Sequence, residues 1–469
     1  MASYRPDPKI LTLGPDFYDA VEAANFPSCM PRFVNERWAE RVGLDLDEQG
    51  WTNHVCRFEP LPDNLLQPLA LRYHGHQFRV YNPEIGDGRG FTFAQLRASP
   101  CGRTHPGQPA SAGDRLLDLG TKGSGQTPYS RHADGRLTLK GGVREVLATE
   151  MLEALGVNTS KSFALFETGE ALERGDEPSP TRSAVLTRLS HGHIRIGTFQ
   201  RLAFFGDVDN LNKLTRYCVE NLYGEQPAQD DAANALRLFD LVSAATAELA
   251  ASYLTAGFVH GVLNSDNINV TGESFDYGPW RFTPDWDPGF TAAYFDHYGL
   301  YAFGRQPEAI HWDLAQLAGC LSLLAEALPL SDLLAGWSER FERALSDAMV
   351  RRLGIAPGDN DREIAGALIR ALAMKAQTID RIFFDWRGGR DPGPERYSGD
   401  EFRNLAALLK GRERAPAHAY WSDDAPCSMH IEEVEAIWSA IATRDDWQPF
   451  NNKVKAIRRM GGAMERDAG

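Results

Sequence analysis

The sequence predicts an α+β chain built as two unequal lobes, a small β-rich one followed by a larger helical one. Three observations carry that expectation. Between about residues 70 and 190 the chain breaks into short β-type runs separated by glycine turns: QFRVYN, GFTFAQL, RLLDLGTKGSG, RLTLKGG, SFALFET and SAVLTRL. One strong helical pattern interrupts them, VREVLATEMLEALG, where Val143, Val146, Leu147, Met151, Ala154 and Leu155 recur at helical spacing and Gly156 supplies a stop. Beyond about residue 195 the pattern becomes long and helical, as in AANALRLFDLVSAATAELAASYLTAG, HWDLAQLAGCLSLLAEAL and IAGALIRALAMKAQ.

Residues 1–70 are rich in proline and aromatics with weak periodicity, which predicts an extension packed on the body. Residues 71–195 then form the β-rich lobe, and 196–469 the helical lobe with a divergent C-terminal segment. One helix embedded among early strands, followed by a helical lobe, is the order of a protein-kinase-like fold, although many α+β enzymes share it.

Composition narrows the function classes. A chain of 469 residues with 43% hydrophobic content buries a sizeable core. Its net charge of −15 argues against a nucleic-acid partner, because phosphate neutralisation needs a basic face. Six scattered cysteines (Cys29, Cys56, Cys101, Cys218, Cys320, Cys427) show neither CxxC nor zinc spacing and read as reduced thiols. The N-terminus has no apolar secretory region, and the longest apolar stretch is interrupted by Gln316 and Glu326. A monomeric cytoplasmic protein without a membrane partner is expected.

Four segments carry candidate chemistry. GDGRG at Gly86–Gly90 lets backbone N–H groups approach an anion while Arg89 adds charge-assisted bonds; a plain β-turn is the alternative. In LDLGTKGSGQTPYSRHADGR, Lys122 ends a strand-like run before a glycine-rich bend, where a lysine can hold a phosphate if a carboxylate fixes its ammonium. The following helix offers Glu145 and Glu150; Glu150 lies nearer the apolar stripe, and spacing alone leaves the choice open.

The third segment, GFVHGVLNSDNINVTGESFDYGP, reads like a kinase catalytic loop, with His260, Asn267 and the Asp276-Tyr277-Gly278 triplet in order. Val262 stands where the catalytic aspartate belongs, and valine cannot deprotonate a hydroxyl. Asp266 is the nearest replacement carboxylate. Asn267 and Asp276, bracketing a short β-type stretch, suit an oxygen-loving magnesium ion; a polar loop chosen for turn geometry is the alternative. The fourth segment, LTRLSHGHIRIG, places Arg188 and Arg195 near the lobe junction, where they clamp a polyphosphate or form surface salt bridges. The pairs His74/His76 and His191/His193 lack a third metal ligand and read as structural.

Taken together, YHGHQF, GDGRG, TKGSGQTPYSRHADGR, VREVL, FVHGVLNSDN, DYGP and DPGF resemble the selenoprotein O (YdiU) family, from about Tyr73 to Gln306. The resemblance implies a pseudokinase in which ATP sits inverted, presenting its α-phosphate to a protein Ser, Thr or Tyr hydroxyl, so that AMP is transferred and pyrophosphate released. It further implies a Lys122–Glu145 ion pair, Asn267 and Asp276 as magnesium ligands, and Asp266 as proton acceptor. Gly86, Gly88, Arg89, Asp134, Gly135, Arg188 and Arg195 match positions that contact the nucleotide. UMP transfer with manganese, or an inactive nucleotide-binding module, are the competing expectations. This chain departs from the family pattern at His74, Arg79 and Gly141-Gly142, and at Ala292, which replaces a cysteine. A regulatory disulfide between that loop and the C-terminus is therefore not expected.

Overall fold

The computed structural model describes residues 3–98, 114–175 and 177–468, so Cys101 lies outside the described residues. The fold is mixed α+β. Its organising element is an antiparallel sheet whose strands run in the order Tyr18–Ala20, Leu69–Leu71, Thr92–Ala98, Arg115–Lys122, Thr181–Ser190, Lys161–Leu172 and Met30–Val34. The two-residue strand Leu137–Thr138 pairs with Thr181–Ser190 as well. Residues from the first 70 thus form both outer strands of the sheet.

The central strands read as near-continuous apolar runs because both faces are covered. Ala184, Val185, Leu186 and Leu189 are buried, as are Phe163, Leu165 and Phe166 on the neighbouring strand. Register matters for the site: Lys122 lies opposite Leu186, and Gly120 opposite Arg188. These residues therefore meet at one end of the sheet.

The sequence expects RLTLKGG to be a strand, but only Leu137–Thr138 pairs, and the helix begins at Leu139. Thr138 is the reason. Its hydroxyl accepts from Gly141 N at 3.1 Å and caps the first turn, so the helix runs Leu139–Ala154. Val143, Val146, Leu147, Met151 and Leu152 fill the core beneath the sheet. The long helix Asp231–Ala256 is capped by Asp230 and ends at Gly257, whose φ of 69° needs no Cβ. It packs against Gln306–Leu321 and Trp337–Leu353.

The C-terminal helix Gln448–Ala468 returns to the sheet side and packs on Leu139–Ala154. Phe450 meets Phe33 edge-on at 6.3 Å, and Arg458 grips Glu150 through Nε and Nη2 at 2.7 and 2.8 Å. Two of the cysteines expected as reduced thiols are paired. Cys29 and Cys56 form a disulfide with their Cα atoms 6.2 Å apart, whereas Cys218, Cys320 and Cys427 are free thiols. Folding brings the residue before the edge strand Met30–Val34 against the helical turn Trp51–Cys56, a juxtaposition that cysteine spacing does not reveal. No helix among the described residues is long and apolar enough to cross a membrane.

Candidate active site

A cavity of about 350 Å³ opens where the end of the sheet meets the loop that follows Asp231–Ala256. Its walls include Gly86, Gly88, Arg89, Lys122, Arg188, Arg195, Asp266 and Asp276. Eight side chains or turns singled out in the sequence thus converge from segments up to 190 residues apart.

The sheet wall is cationic. Lys122 is buried at the end of its strand and forms an ion pair with Glu145, which is also buried. Lys122 Nζ also lies 2.9 Å from Asp276 Oδ1. Glu150, one and a half turns further along the helix, faces away and is held by Arg458. Arg188 reaches Asp276 Oδ1 at 3.5 Å and the Thr121 carbonyl at 3.3 Å. Arg195 donates to the Asp266 carbonyl at 3.2 Å and to Asp87 at 3.3 Å, and its guanidinium lies over the rings of Tyr73 and Phe275.

The glycine turn closes one side. Tyr129 packs so tightly on Gly86 that any Cβ there would run into its ring, while the Ser130 hydroxyl donates to the Gly88 carbonyl. Arg89 and Arg131 stand exposed at the mouth, both on the cavity wall. Asp134 and Gly135 are not on that wall. Asp134 instead binds Arg174 at 2.9 Å, and the Gly135 carbonyl accepts from Gly125 N.

The loop wall carries the carboxylates. Asp276 adopts a left-handed backbone, φ 61°, a conformation that costs a non-glycine residue about 1–2 kcal/mol. Its pKa is the balance of opposing effects: burial pushes it up, but Lys122, Arg188, Arg89 and Arg195 outweigh this and hold it well below the usual carboxylate range. Asp266 behaves oppositely. Burial pushes its pKa up to about 6 despite Arg195, and its Oδ1 is buried without a hydrogen-bond partner. The loop is braced by His260 Nε2 at 2.9 Å from the Phe275 carbonyl and by Ser265, which donates to Gln200 and accepts from His76 N.

Asn267 is not on the cavity wall; its amide nitrogen donates to the Val262 carbonyl at 3.0 Å. The Asp276 carboxylate, Asp266 Oδ1 and Asn267 Oδ1 are hard oxygen donors of the kind a divalent cation takes. Among the described residues no group of three or more His, Cys, Asp or Glu forms a closed cage.

Sequence reasoning missed Tyr73, Asp87, Tyr129, Arg131 and His193 as cavity residues. All five lie inside quoted motifs, but nothing in the patterns says which side chains turn inward.

Comparison with known proteins gives the family. The family model described as Protein adenylyltransferase SelO matches residues 2–390. Proteins named Protein nucleotidyltransferase YdiU are similar along nearly the whole chain. That of Synechococcus elongatus is 45% identical, covering 97% of this chain and 95% of its own. That of Gloeobacter violaceus is 41% identical with 97% and 95% coverage, and that of Synechocystis sp. 38% with 96% and 97%. The chain belongs to the SelO/YdiU family of protein nucleotidyltransferases and is an enzyme of that class.

Proposed function

We propose that this enzyme is a protein adenylyltransferase that takes ATP with magnesium and transfers AMP to Ser, Thr or Tyr hydroxyls of other proteins, releasing pyrophosphate. The fold is read as protein-kinase-like, with 71–195 as the β-rich lobe, 196–469 as the helical lobe and 1–70 as an extension laid over them. A cytoplasmic monomer without nucleic-acid or membrane partners is the matching biological setting.

The observation that supports this most strongly is the contrast on the loop wall. Val262 stands where a phosphate-transferring kinase keeps its carboxylate, yet Asp266, whose Oδ1 has no hydrogen-bond partner, lies on the cavity wall near the four cations that hold the Asp276 carboxyl ionised. On this reading Lys122, Arg188, Arg195 and Arg89 hold the phosphate chain, with Glu145 fixing the Lys122 ammonium. Asp276 and Asn267 are the residues that would hold magnesium, with Asp134 and Gly135 flanking the nucleotide through their turn. A bound divalent cation supplies positive charge to the phosphate oxygens.

The acceptor oxygen attacks the α-phosphorus. Its proton passes to Asp266, the bond from the α-phosphorus to the bridging oxygen breaks, and pyrophosphate leaves with those electrons neutralised by the arginines. A carboxyl with a pKa near 6 suits this role, because it is mostly ionised at neutral pH and basic enough to accept a proton. Mass spectrometry of the enzyme and of lysate proteins after incubation with magnesium and ATP tests the reading. AMP on hydroxyl residues is expected; phosphate on the same residues would overturn it.

A further inference from the structure

Arg131 lies on the cavity wall but has no part in the transfer step described above. Of the five lysine and arginine side chains on that wall, three form ion pairs with its carboxylates: Lys122 and Arg188 meet Asp276, and Arg195 meets Asp87. Arg89 and Arg131 stand outside these pairs and are exposed at the mouth. Arg89 is near enough to Asp276 to help hold it ionised.

The backbone fixes where Arg131 stands. Its φ of 54° is left-handed, a conformation that a non-glycine residue keeps only when its surroundings impose it. The turn is closed by Ser130 N, which donates to the Thr127 carbonyl at 3.1 Å, and by Ala133 N, which donates to the Ser130 carbonyl at 2.8 Å. It is also bolted to the glycine turn: the Thr127 hydroxyl donates to the Asp87 carbonyl at 2.5 Å, and the Ser130 hydroxyl to the Gly88 carbonyl. Gly88 permits this approach, since a Cβ there would lie 2.9 Å from the Tyr129 carbonyl oxygen. Arg89 and Arg131 directly follow Gly88 and Ser130, so this contact brings the two arginines off neighbouring backbone.

Two other arginines around this turn are the contrast. Arg136 is held by Glu170 at 2.8 Å and Arg174 by Asp134 at 2.9 Å, so both brace the fold. Arg131, on a turn fixed as firmly, presents its charge to the cavity instead. Water solvates an exposed guanidinium well, and its exposure alone marks no site. Two guanidiniums rising from turns bonded to each other do make a preorganised anion site, because the fold has ordered their backbone before the anion arrives. A phosphate chain suits them, since each guanidinium fork matches a pair of phosphate oxygens. We propose that Arg131, together with Arg89, clasps the phosphate chain of the nucleotide at the cavity mouth while Lys122 and Arg188 hold it from the buried wall. This rests on the reading of the cavity as a nucleotide site.

The test is calorimetric titration of the full chain with ATP, inorganic pyrophosphate and adenosine. Arg131→Asn, a residue that tolerates the left-handed backbone, is expected to weaken ATP and pyrophosphate binding by about tenfold, the loss of one charge-assisted hydrogen bond, and to leave adenosine binding unchanged. Arg131→Lys should recover part of that loss, because it keeps the charge without the fork. Since the site is exposed, the gap between wild type and Arg131→Asn should narrow at about 1 M salt. Should Arg131→Asn melt early, Arg131→Gly, which adopts the same φ freely, carries the same expectations. Unchanged pyrophosphate affinity in a variant with wild-type melting would overturn the inference, and if the KM for acceptor protein alone rises, the arginine reads the acceptor instead. Wild-type AMP transfer beside such an unchanged affinity would leave the proposed function standing. A wild-type enzyme that binds pyrophosphate through Arg131 but transfers no AMP would count against the proposed function and for this inference.

Discussion

The two walls of the cavity hold charge in opposite ways. On the sheet wall, Lys122 and Arg188 come from strands locked in register, and their cations draw Asp276 far below its usual pKa. On the loop wall, Asp266 shares the same space with an unpartnered oxygen and is pushed up to about 6. The residue type is identical, so the difference lies in the neighbours: compensation by fixed cations keeps one carboxyl ionised, and burial with weaker compensation raises the proton affinity of the other.

The largest effect that would break this contrast is removal of Asp276. Asp276→Ala is expected to abolish nucleotide transfer and to lower stability of the metal-free protein, because Lys122 and Arg188 lose their shared anion. Its depressed pKa adds stability above the unfolded carboxylate range that is lost as pH falls toward the folded value. Undiminished transfer in this variant would remove Asp276 from the mechanism. Asp266→Asn should leave ATP binding intact by titration while lowering kcat by roughly 10²–10⁴-fold, the range of a lost general base.

The sign for stability is reversed at Asp266. With its pKa pushed up to about 6, the folded state binds the proton more tightly than the unfolded chain, so stability falls as pH rises from about 4 to about 6. The cost at neutral pH is about 3 kcal/mol, and Asp266→Asn should therefore raise Tm at pH 8 but not at pH 4. A Tm that drops at both pH values would show the carboxylate to be structurally required. Wild-type transfer should fall with pH through about 6 as this carboxyl protonates.

The smallest effects separate two glutamates on one helix. Glu145→Gln is expected to reduce transfer by roughly 10–100-fold with little change in melting, since it weakens one charge-assisted bond to Lys122. Glu150→Ala should do the reverse, lowering stability by about 2 kcal/mol through the stranded Arg458 while sparing kcat. The opposite pattern would place the functional carboxylate at Glu150.

Much of the fold class was legible because its signals are local. The β-type runs, the single helix among them and the long helical patterns after residue 195 follow from residue periodicity, and Lys122 before a glycine bend and Asp276-Tyr277-Gly278 stand out as motifs. What escaped depends on distance along the chain. Arg458 reaches Glu150 across 308 residues, His193 enters the cavity because Gly120 vacates space on another strand, and Cys29 meets Cys56 only once the first 70 residues wrap the sheet. The start of the glutamate helix is hidden for a local reason: β-type residues in RLTLKGG conceal the cap supplied by Thr138.

AMP transfer is tested by incubating the enzyme with magnesium and ATP labelled at either the α or the γ phosphate, followed by a denaturing gel of enzyme and lysate. Label on protein from the α position alone is expected. Label from the γ position would contradict it and return the chemistry to phosphate transfer.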